Sequence, residues 1–360
     1  MKVCIVTPSL GLGGAERSAA MQSIMLTELG YDVHIVLISN IISYEYKGEI
    51  FNLGKLKDNN NSLFYKIKRI ILFKRYLKVN RFDAIIDNRL RNSGLLNELG
   101  VCKYVYRKLK IFYVIHSSSY KKEVQKNLGL KKWLLKDAFK IVAVNEALLD
   151  LIKPFHKKNE MVSIENTVDF DAINFQSKEP INILFPYILY CGRLDEGSKN
   201  ISLLIEAYAI SDIYKGGTKL IILGDGPDEN YYKQLVVSLN IQNFVIFESF
   251  KSNPFVYMKY ALCTVLTIFY EGFPLVLIES LALGTPVIAI NCETGPSEII
   301  EHNVNGILLE TYGVNELSKA FKSIANDENL LNKLRKNTLQ SVQKFSKEAI
   351  AEKWRSALDY

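Results

Sequence analysis

Short runs of β-branched residues alternate with amphipathic stretches along nearly the whole chain. This alternation is typical of βαβ units, in which parallel strands form a sheet that helices cover on both faces. The strands predicted in the first half are residues 2–7, 32–38, 82–86, 111–115 and 141–144. Those predicted in the second half are residues 187–191, 220–223, 244–247, 264–269, 287–290 and 307–309. The pattern therefore predicts an α/β protein built from doubly wound parallel sheets.

One stretch, residues 166–186, interrupts this rhythm and shows little periodicity. The chain of 360 residues is also longer than one ordinary domain, which has roughly 100 to 200 residues. We therefore predict two Rossmann-like domains, which comprise residues 1–175 and 176–344.

The last part of the chain, about residues 345–360, has the apolar spacing of a helix. Phe345, Ile350, Trp354 and Leu358 follow one another at intervals of four or five residues, which places them near one helical stripe. Because such a stripe must cover a surface, we predict that this helix crosses back onto the first domain.

The composition argues against several classes of protein. Hydrophobic residues make up 48% of the chain and charged residues 23%, as in a soluble globular protein rather than a disordered one. The apolar runs fall well short of the roughly 20 residues of a membrane-spanning helix, and residues 1–7 lack the pattern of a secretory signal. Five scattered cysteines argue against a disulfide framework and against a zinc site. We expect a cytoplasmic protein that binds no metal.

The charge is concentrated in the first half of the chain. Residues 1–180 contain 29 Lys and Arg against 18 Asp and Glu, whereas the remainder contains 16 against 20. An anionic partner is therefore expected for the first half. The usual nucleic-acid-binding motifs do not accompany this charge, so we expect no nucleic acid and favour an anionic membrane surface or a lipid phosphate.

Residues 64–81 carry seven Lys and Arg residues among apolar ones, in the pattern of a basic amphipathic helix. A second basic cluster, Lys121 to Lys132, lies close to Trp133. Both favour peripheral attachment to the inner face of the cell membrane. The alternative, an ordinary sheet-covering helix with a solvated outer face, remains open for residues 64–81.

A glycine-rich turn, GLGGAER at residues 11–17, follows the first predicted strand. Glycines allow backbone N–H groups to approach a ligand, and the start of the following helix favours phosphate. A nicotinamide dinucleotide would need an Asp or Glu at the end of the second strand, where this chain has the sequence LISN at residues 37–40. A dehydrogenase is therefore only a minor alternative, and a purely structural turn remains open.

In the second half, polar motifs follow predicted strands at their carboxyl ends, the edge where open α/β sheets bind ligands. Arg193 and Lys199 lie in the loop after residues 187–191, and two cations at that place could neutralise a diphosphate. The turn GDGP at residues 224–227 is interpreted mainly as structural. Two acids follow, Glu271 in a loop and Glu279 behind an apolar run. A carboxylate in the position of Glu279 is costly to bury unless hydroxyls or cations bind it.

This ordered set of motifs resembles family 4 of the retaining glycosyltransferases, which have the GT-B architecture. The residues that carry the resemblance are GGAER at 13–17, GRL at 192–194, KN at 199–200, GDGP at 224–227, and the pair Glu271 and Glu279. Weaker matches are NTVD at 166–169 and NG at 305–306. The resemblance covers nearly the whole chain and implies two Rossmann-like domains that face each other across a cleft.

The resemblance also implies the roles of the predicted site residues in the second half. Arg193 and Lys199 would hold the donor diphosphate, Glu271 would contact hydroxyls of the donor sugar, and Glu279 would accept hydrogen bonds from the ribose. The loop between Arg193 and Lys199 is one residue longer than is usual in the family, so that Ser198 and Asn200 are also candidates for the phosphate contact. The start of the following helix would contribute binding groups from Gly272, Phe273, Pro274 and Leu275.

In the first half, Gly13 and Gly14 would close over the phosphates and the acceptor. His116 matches the family histidine that contacts the donor sugar beside the anomeric carbon. The sequence DFD at residues 169–171 mimics a metal-binding carboxylate pair, but its place at the linker indicates a structural role. We therefore expect a reaction without a metal or another cofactor.

The predicted activity is transfer of a hexosyl or N-acetylhexosaminyl group from a nucleotide diphosphate sugar, with a UDP-sugar favoured. The expected acceptor is a glycan, most simply one linked to a lipid diphosphate, as in bacterial surface-polysaccharide assembly. Two alternatives remain open, a nucleotide-sugar epimerase with a similar cleft and a non-catalytic protein that binds nucleotide sugars.

Overall fold

The computed structural model describes residues 1–11, 13–59, 62–89, 98–117, 133–156 and 159–359. Within these ranges, none of the helices combines the length and the apolar character that crossing a bilayer requires. The second predicted basic cluster, Lys121 to Lys132, lies outside the described residues.

The described strands form two parallel sheets. The first sheet has the order β3-β2-β1-β4-β5-β6-β7 and the second the order β10-β9-β8-β11-β12-β13. The strands of the first sheet are β1 Lys2–Thr7, β2 Asp32–Leu37, β3 Glu49–Asn52, β4 Ala84–Asp87, β5 Ile111–Ile115, β6 Lys140–Ala143 and β7 Glu160–Ser163. Those of the second are β8 Tyr187–Cys191, β9 Lys219–Leu223, β10 Val245–Glu248, β11 Cys263–Leu266, β12 Val287–Ile290 and β13 Gly306–Leu309.

The α-helices follow the strands in the expected alternation. They are α1 Gly14–Glu28, α2 Gly54–Asn59, α3 Leu63–Asn80, α4 Glu146–Ile152, α5 Phe170–Gln176, α6 Glu196–Lys199, α7 Ile201–Ser211, α8 Glu229–Ser238, α9 Phe255–Tyr260, α10 Leu275–Ala282, α11 Pro296–Ile299, α12 Val314–Asn326, α13 Glu328–Val342 and α14 Lys347–Leu358. The described residues also include a π-helical turn, Gly100–Val105, and three 3₁₀ turns, Lys153–Phe155, Ile213–Gly216 and Gln343–Phe345.

The chain divides into two compact units. The first comprises Met1–Thr167 together with Lys347–Tyr360, and the second comprises Val168–Ser346. The division thus lies at residue 167 rather than at 175, because α5 forms inside the predicted linker and packs against α9 and α10 of the second unit. Asp169 caps α5 by accepting a hydrogen bond from the Ala172 N–H at 2.9 Å.

The central strands of both sheets are buried on both faces, as the near-continuous apolar runs of β1 and β8 predict. The sequence did not indicate β3 and β7, which are four-residue edge strands with partly exposed side chains. Edge strands carry a weak apolar signal because they are covered less completely than central ones.

The C-terminal helix α14 belongs to the first unit and packs against α1. Trp354 is fully buried, and its ring meets that of Phe112 in β5 edge to face, with 6.5 Å between the centroids. Contrary to the prediction, Phe345 is not part of this apolar stripe. It lies in a 3₁₀ turn of the second unit, where its ring packs on Phe273.

Replacing Trp354 with alanine should destabilise the first unit by about 3–5 kcal/mol, the usual cost of truncating a buried aromatic residue. Both tryptophans of the chain, Trp133 and Trp354, lie in the first unit, so the fluorescence of Trp133 in the W354A variant reports on that unit alone. Urea unfolding should show a midpoint well below that of the wild type. The control R355A removes an exposed side chain of the same helix and should leave the midpoint unchanged within error. Equal midpoints for W354A and R355A would contradict this account of α14.

Candidate active site

In the second unit, the loops that carry most of the predicted residues meet at one edge of the sheet. β8 lies between β9 and β11. The chain that leaves β8 continues to β9 on one side, whereas the chain that leaves β11 continues to β12 on the other side. Ligands of open α/β sheets bind outside the carboxyl ends of the strands at such a switch point. The loops at residues 192–200 and 267–274 both start there.

The loop after β8 is fixed by the backbone of the next loop along the sheet. Gly192 N donates to the carbonyl of Leu223 and Leu194 N to that of Asp225, both at 3.0 Å. Between them, the Arg193 carbonyl accepts a hydrogen bond from the buried Tyr190 hydroxyl at 2.9 Å. The Arg193 backbone is therefore held firmly, while its side chain is exposed to solvent.

Two glycines of the GDGP turn make this close approach possible. Gly224 has a φ of +145°, and a Cβ on it would overlap the carbonyl oxygen of Gly192. A Cβ on Gly226 would overlap the carbonyl oxygen of Leu194. The turn thus supports the loop that carries Arg193, which agrees with its interpretation as mainly structural.

Lys199 ends the short helix α6 and is bound to the segment after β11. Its carbonyl accepts a hydrogen bond from Thr267 Oγ1 at 2.9 Å, and the carbonyl of Ser198 accepts one from Phe269 N at 3.0 Å. Asn200, with a φ of +51°, ends the helix in the left-handed conformation and is buried. Among the three candidates in this loop, Lys199 is the one whose side chain forms an ion pair with Glu271.

The Lys199 ammonium and the Glu271 carboxylate are 2.8 Å apart, measured from Nζ to Oε2. Their side chains are 20% and 31% exposed, so that both remain accessible to a ligand. The other carboxylate oxygen of Glu271 accepts a hydrogen bond from the Gly272 N–H at 3.3 Å. Thr294 Oγ1 donates to the Glu271 carbonyl, which ties this loop to the one after β12. The result is a partly exposed pair of opposite charges at the start of α10.

The segment before α10 can offer backbone groups rather than side chains. Pro274 is the N-cap of the helix, and Phe273 is buried against Phe345, with 5.2 Å between the ring centroids. Gly295, with a φ of +103°, lies against Pro274 so closely that a Cβ on it would be 2.8 Å from Pro274 Cδ. Glu279 lies on the second turn of α10 and is only 3% exposed.

In the first unit, the glycine-rich turn leads into α1 with Gly13 as the N-cap. The carboxylate of Glu16, in the first turn of the helix, folds back over Gly13, where a Cβ would overlap it. Burial raises the pKa of Glu16 above its usual value, against a smaller opposing effect of its backbone hydrogen bond. The helix start at which a phosphate was predicted therefore already has an acidic side chain beside it.

His116 follows β5 directly, and its Nε2 is 2.8 Å from Oδ1 of Asn88. Asn88 follows the neighbouring strand β4 and is completely buried. Neither Asn88 nor its partner Gln22 was among the predicted site residues. The run DNR at 87–89 at the end of a buried strand was a signal that could have indicated this position.

The residues on either side of Asn88 form a buried ion pair. Arg89 binds Asp87 through Nη2 at 2.8 Å and through Nε at 3.0 Å, and its Nη1 lies 3.5 Å from the Glu98 carboxylate. Burial alone would lower the pKa of Arg89, but the negative charges around it, Asp87 first, outweigh burial and raise that pKa well above its usual value. This guanidinium is therefore neutralised inside the unit and is a poor candidate for binding a ligand.

The predicted site residues thus form two groups. Gly13, Gly14 and His116 belong to the first unit, where His116 contacts Asn88. The second unit contains Arg193, Lys199, Glu271 and Glu279 together with the segment 272–275, and there Glu271 contacts both Lys199 and Gly272.

Comparison with known proteins identifies relatives over the whole chain. Residues 172–341 match the family described as glycosyl transferases group 1. The N-acetylgalactosamine-N,N'-diacetylbacillosaminyl-diphospho-undecaprenol 4-alpha-N-acetylgalactosaminyltransferase of Campylobacter jejuni is 30% identical, over 100% of this chain and 99% of the relative. The amylovoran biosynthesis glycosyltransferase AmsD of Erwinia amylovora is 26% identical, over 96% of each chain.

Solved structures show the same fold at lower sequence identity. Anabaena HepE in complex with UDP-glucose has a TM-score of 0.80 at 19% identity, over 100% of this chain and 99% of that one. Sucrose-phosphate synthase from Thermosynechococcus elongatus has a TM-score of 0.80 at 20% identity, over 99% and 98% of the two chains. The two Rossmann-like units are those of the GT-B fold, as expected from the motifs. With this fold, the family match and the full-length relative at 30% identity, the chain belongs to the glycosyl transferases group 1 family and is a glycosyltransferase.

Proposed function

We propose that this enzyme is a retaining glycosyltransferase that moves a hexosyl or N-acetylhexosaminyl group from a UDP-sugar to a lipid-diphosphate-linked glycan in surface-polysaccharide synthesis. The observation that carries the proposal is the ion pair of Lys199 and Glu271 at the switch point of the second sheet. A cation there is suited to a diphosphate, and an acid beside it is suited to sugar hydroxyls. The exposed Arg193 in the same loop supplies a second cation.

The chemistry assigned to the cations follows from where charge develops. As the bond between the anomeric carbon and the diphosphate oxygen breaks, negative charge grows on the leaving UDP. Lys199 and Arg193 stabilise that charge, since their backbones are fixed by hydrogen bonds before the donor arrives. The acceptor hydroxyl then forms the new bond on the face that UDP leaves, and its proton passes to the departing diphosphate. No metal ion is assigned to this reaction.

The two acids are assigned to the sugars on either side of the diphosphate. When Lys199 binds phosphate, the Glu271 carboxylate becomes available to hydroxyls of the donor sugar. Glu279 is buried in α10, and a buried carboxylate is stabilised by the hydrogen bonds that ribose hydroxyls can donate. His116 is assigned to the donor sugar, and Gly13 and Gly14 to the phosphates and the acceptor.

Two comparisons support this choice of donor and acceptor. The name of the Campylobacter jejuni relative specifies a glycan on diphospho-undecaprenol as acceptor and N-acetylgalactosamine as the transferred sugar. HepE, which has the same fold, has been crystallised with UDP-glucose. We assign the same two classes of substrate to this enzyme.

The surface of α3 supports attachment to a membrane. One face of this helix packs inward through Phe73 and Leu77, which are buried. The opposite face exposes Phe64, Ile67 and Ile71, with exposed fractions of 72%, 50% and 52%. A helix that only covered a sheet would present polar groups there, so the exposed apolar stripe favours the membrane interpretation. Basic residues flank the stripe, among them the exposed Lys68, Arg75 and Lys78. We propose that α3 lies on the inner face of the cell membrane, close to a lipid-linked acceptor.

Replacing Lys199 with alanine should lower kcat/KM for the UDP-sugar about 100- to 1000-fold, because one preorganised partner of the leaving diphosphate is lost. UDP release measures the rate, and NMR of the product shows whether the anomeric configuration is retained. The matched control is K215A, since Lys215 forms an ion pair of similar length, 2.9 Å, with Asp212 on the surface of the same unit. A K199A enzyme with the kcat/KM of the wild type would remove the phosphate role of Lys199. Activity that disappears with EDTA would contradict the metal-free reaction.

A UDP-sugar should raise the thermal stability of the enzyme, whereas GDP- and ADP-sugars should have little effect. A ligand at 100 times its Kd stabilises the folded state by about 2.7 kcal/mol, which a thermal-shift assay detects readily. The E279Q variant should lose most of this shift because a ribose contact is weakened. The control E229Q alters a carboxylate paired with Lys233 on the surface and should keep the full shift. Equal shifts in both variants would show that Glu279 does not contact the donor.

The protein should sediment with vesicles that contain anionic lipid at low salt, and less with neutral vesicles. Each cation near an anionic surface contributes about 1 kcal/mol, and salt screens this attraction. The I67E/I71E variant should lose most of the binding because both side chains belong to the exposed apolar stripe. The control I210E/V237E changes two exposed apolar residues of the second unit and should bind as the wild type does. Unchanged binding of I67E/I71E would exclude α3 as the membrane contact.

A further inference from the structure

Asn88 is held in place by the first sheet itself. It follows β4 directly, and its backbone N–H donates to the Val6 carbonyl at 2.8 Å, which continues the pairing of β1 with β4 by one residue. The side chain is completely buried. The amide group therefore has a fixed position at the switch point of this sheet, where β1 and β4 are neighbours.

The direction of the Asn88 amide is set by a second amide, that of Gln22 in α1. Asn88 Nδ2 donates to Gln22 Oε1 at 2.8 Å, and Gln22 Nε2 lies 3.4 Å from Asn88 Oδ1. Gln22 is buried as well. If the Asn88 amide were reversed, its NH₂ group would face the NH₂ group of Gln22 and its oxygen the oxygen of Gln22. With Gln22 Oε1 accepting from Asn88 Nδ2, the orientation in this structure places Asn88 Oδ1 toward His116.

That oxygen determines where the imidazole carries its proton. His116 Nε2 is 2.8 Å from Asn88 Oδ1. A carbonyl oxygen only accepts hydrogen bonds, so Nε2 must be the donor and must carry a hydrogen. In the neutral ring, Nδ1 is then the unprotonated nitrogen, whose lone pair can accept a hydrogen bond.

We propose that Asn88 is a positioning residue that holds the His116 ring in one orientation and in the tautomer protonated on Nε2. Where the inference concerns catalysis, it rests on the proposed function. In this tautomer the hydrogen-bond acceptor of the ring is Nδ1, a buried atom. Through Gln22, the same network connects His116 to α1, the helix that starts at the glycine-rich turn.

NMR of the histidine ring nitrogens tests the positioning without any substrate. The chain contains four histidines, and the H116Q variant identifies the signals of His116. In the wild type, the neutral ring should be protonated on Nε2. In N88A the accepting oxygen is gone, and the two tautomers should be mixed. N88D keeps an accepting oxygen and should restore the proton on Nε2.

The matched control is N145A. Asn145 is also completely buried and follows β6, and its side chain caps α4 by accepting the Leu148 N–H at 2.6 Å. N145A should lower stability but leave the tautomer of His116 unchanged. If N88A does not fold, Gln22→Met carries the same test, because it frees the Asn88 amide to reverse. A wild-type tautomer in folded N88A or Q22M would overturn the proposal.

Kinetics separate this inference from the proposed function. N88A should lower kcat by about 10- to 100-fold, a loss like that seen when a residue that orients a metal-binding histidine is replaced, and should change KM little. In the H116Q background, the same substitution should have almost no further effect. A changed tautomer with unchanged kcat would support Asn88 as a positioning residue and overturn the assignment of His116 to the donor sugar.

Discussion

Two parallel sheets, whose central strands are buried on both faces, determine where this protein can place polar and charged side chains. In β1 and β8, nearly every side chain is packed against helices, and the backbone groups are paired with the neighbouring strands. A charged or polar side chain within these strands would lose its hydration without compensation. Such groups are therefore found where strands end, and the carboxyl ends of parallel strands share one edge. Asn88 and His116 follow strands at this edge of the first sheet, and Arg193 and Glu271 lie in loops that start at the corresponding edge of the second sheet.

The second unit shows how close backbone packing supports this arrangement. Gly224 and Gly226 allow one loop to touch the carbonyls of the loop that carries Arg193, and any larger residue would separate the two. Lys199 is fixed in turn by the segment after β11 and reaches Glu271 from there. These backbone contacts order the proposed donor site in advance, so that binding a donor there would spend less free energy on ordering it.

The first unit carries charged side chains both in its interior and on the surface of α3. Inside the unit, Arg89 is paired with Asp87 and Glu98, and this pairing offsets the free-energy cost of burying a guanidinium group. Outside, α3 exposes an apolar stripe flanked by basic residues. The excess of positive charge in residues 1–180 is therefore located in part on this exposed surface of α3, the surface that we propose contacts an anionic bilayer.

The sequence by itself determined the α/β class, eleven of the thirteen described strands, the family and the residues that carry its motifs. These features are local, because a buried parallel strand needs a continuous apolar run and a glycine-rich turn needs its glycines in order. The edge strands β3 and β7 were missed because partial exposure leaves them without such a run. The boundary at residue 167 and the place of Phe345 in the second unit depended on which surfaces α5 and the 3₁₀ turn could cover. Only the tertiary structure decided that Lys199 pairs with Glu271, and that Gln22 and Asn88 orient His116. Those partners are 72, 66 and 28 residues apart in the chain, and spacing along a sequence carries no information about contacts that the sheet creates.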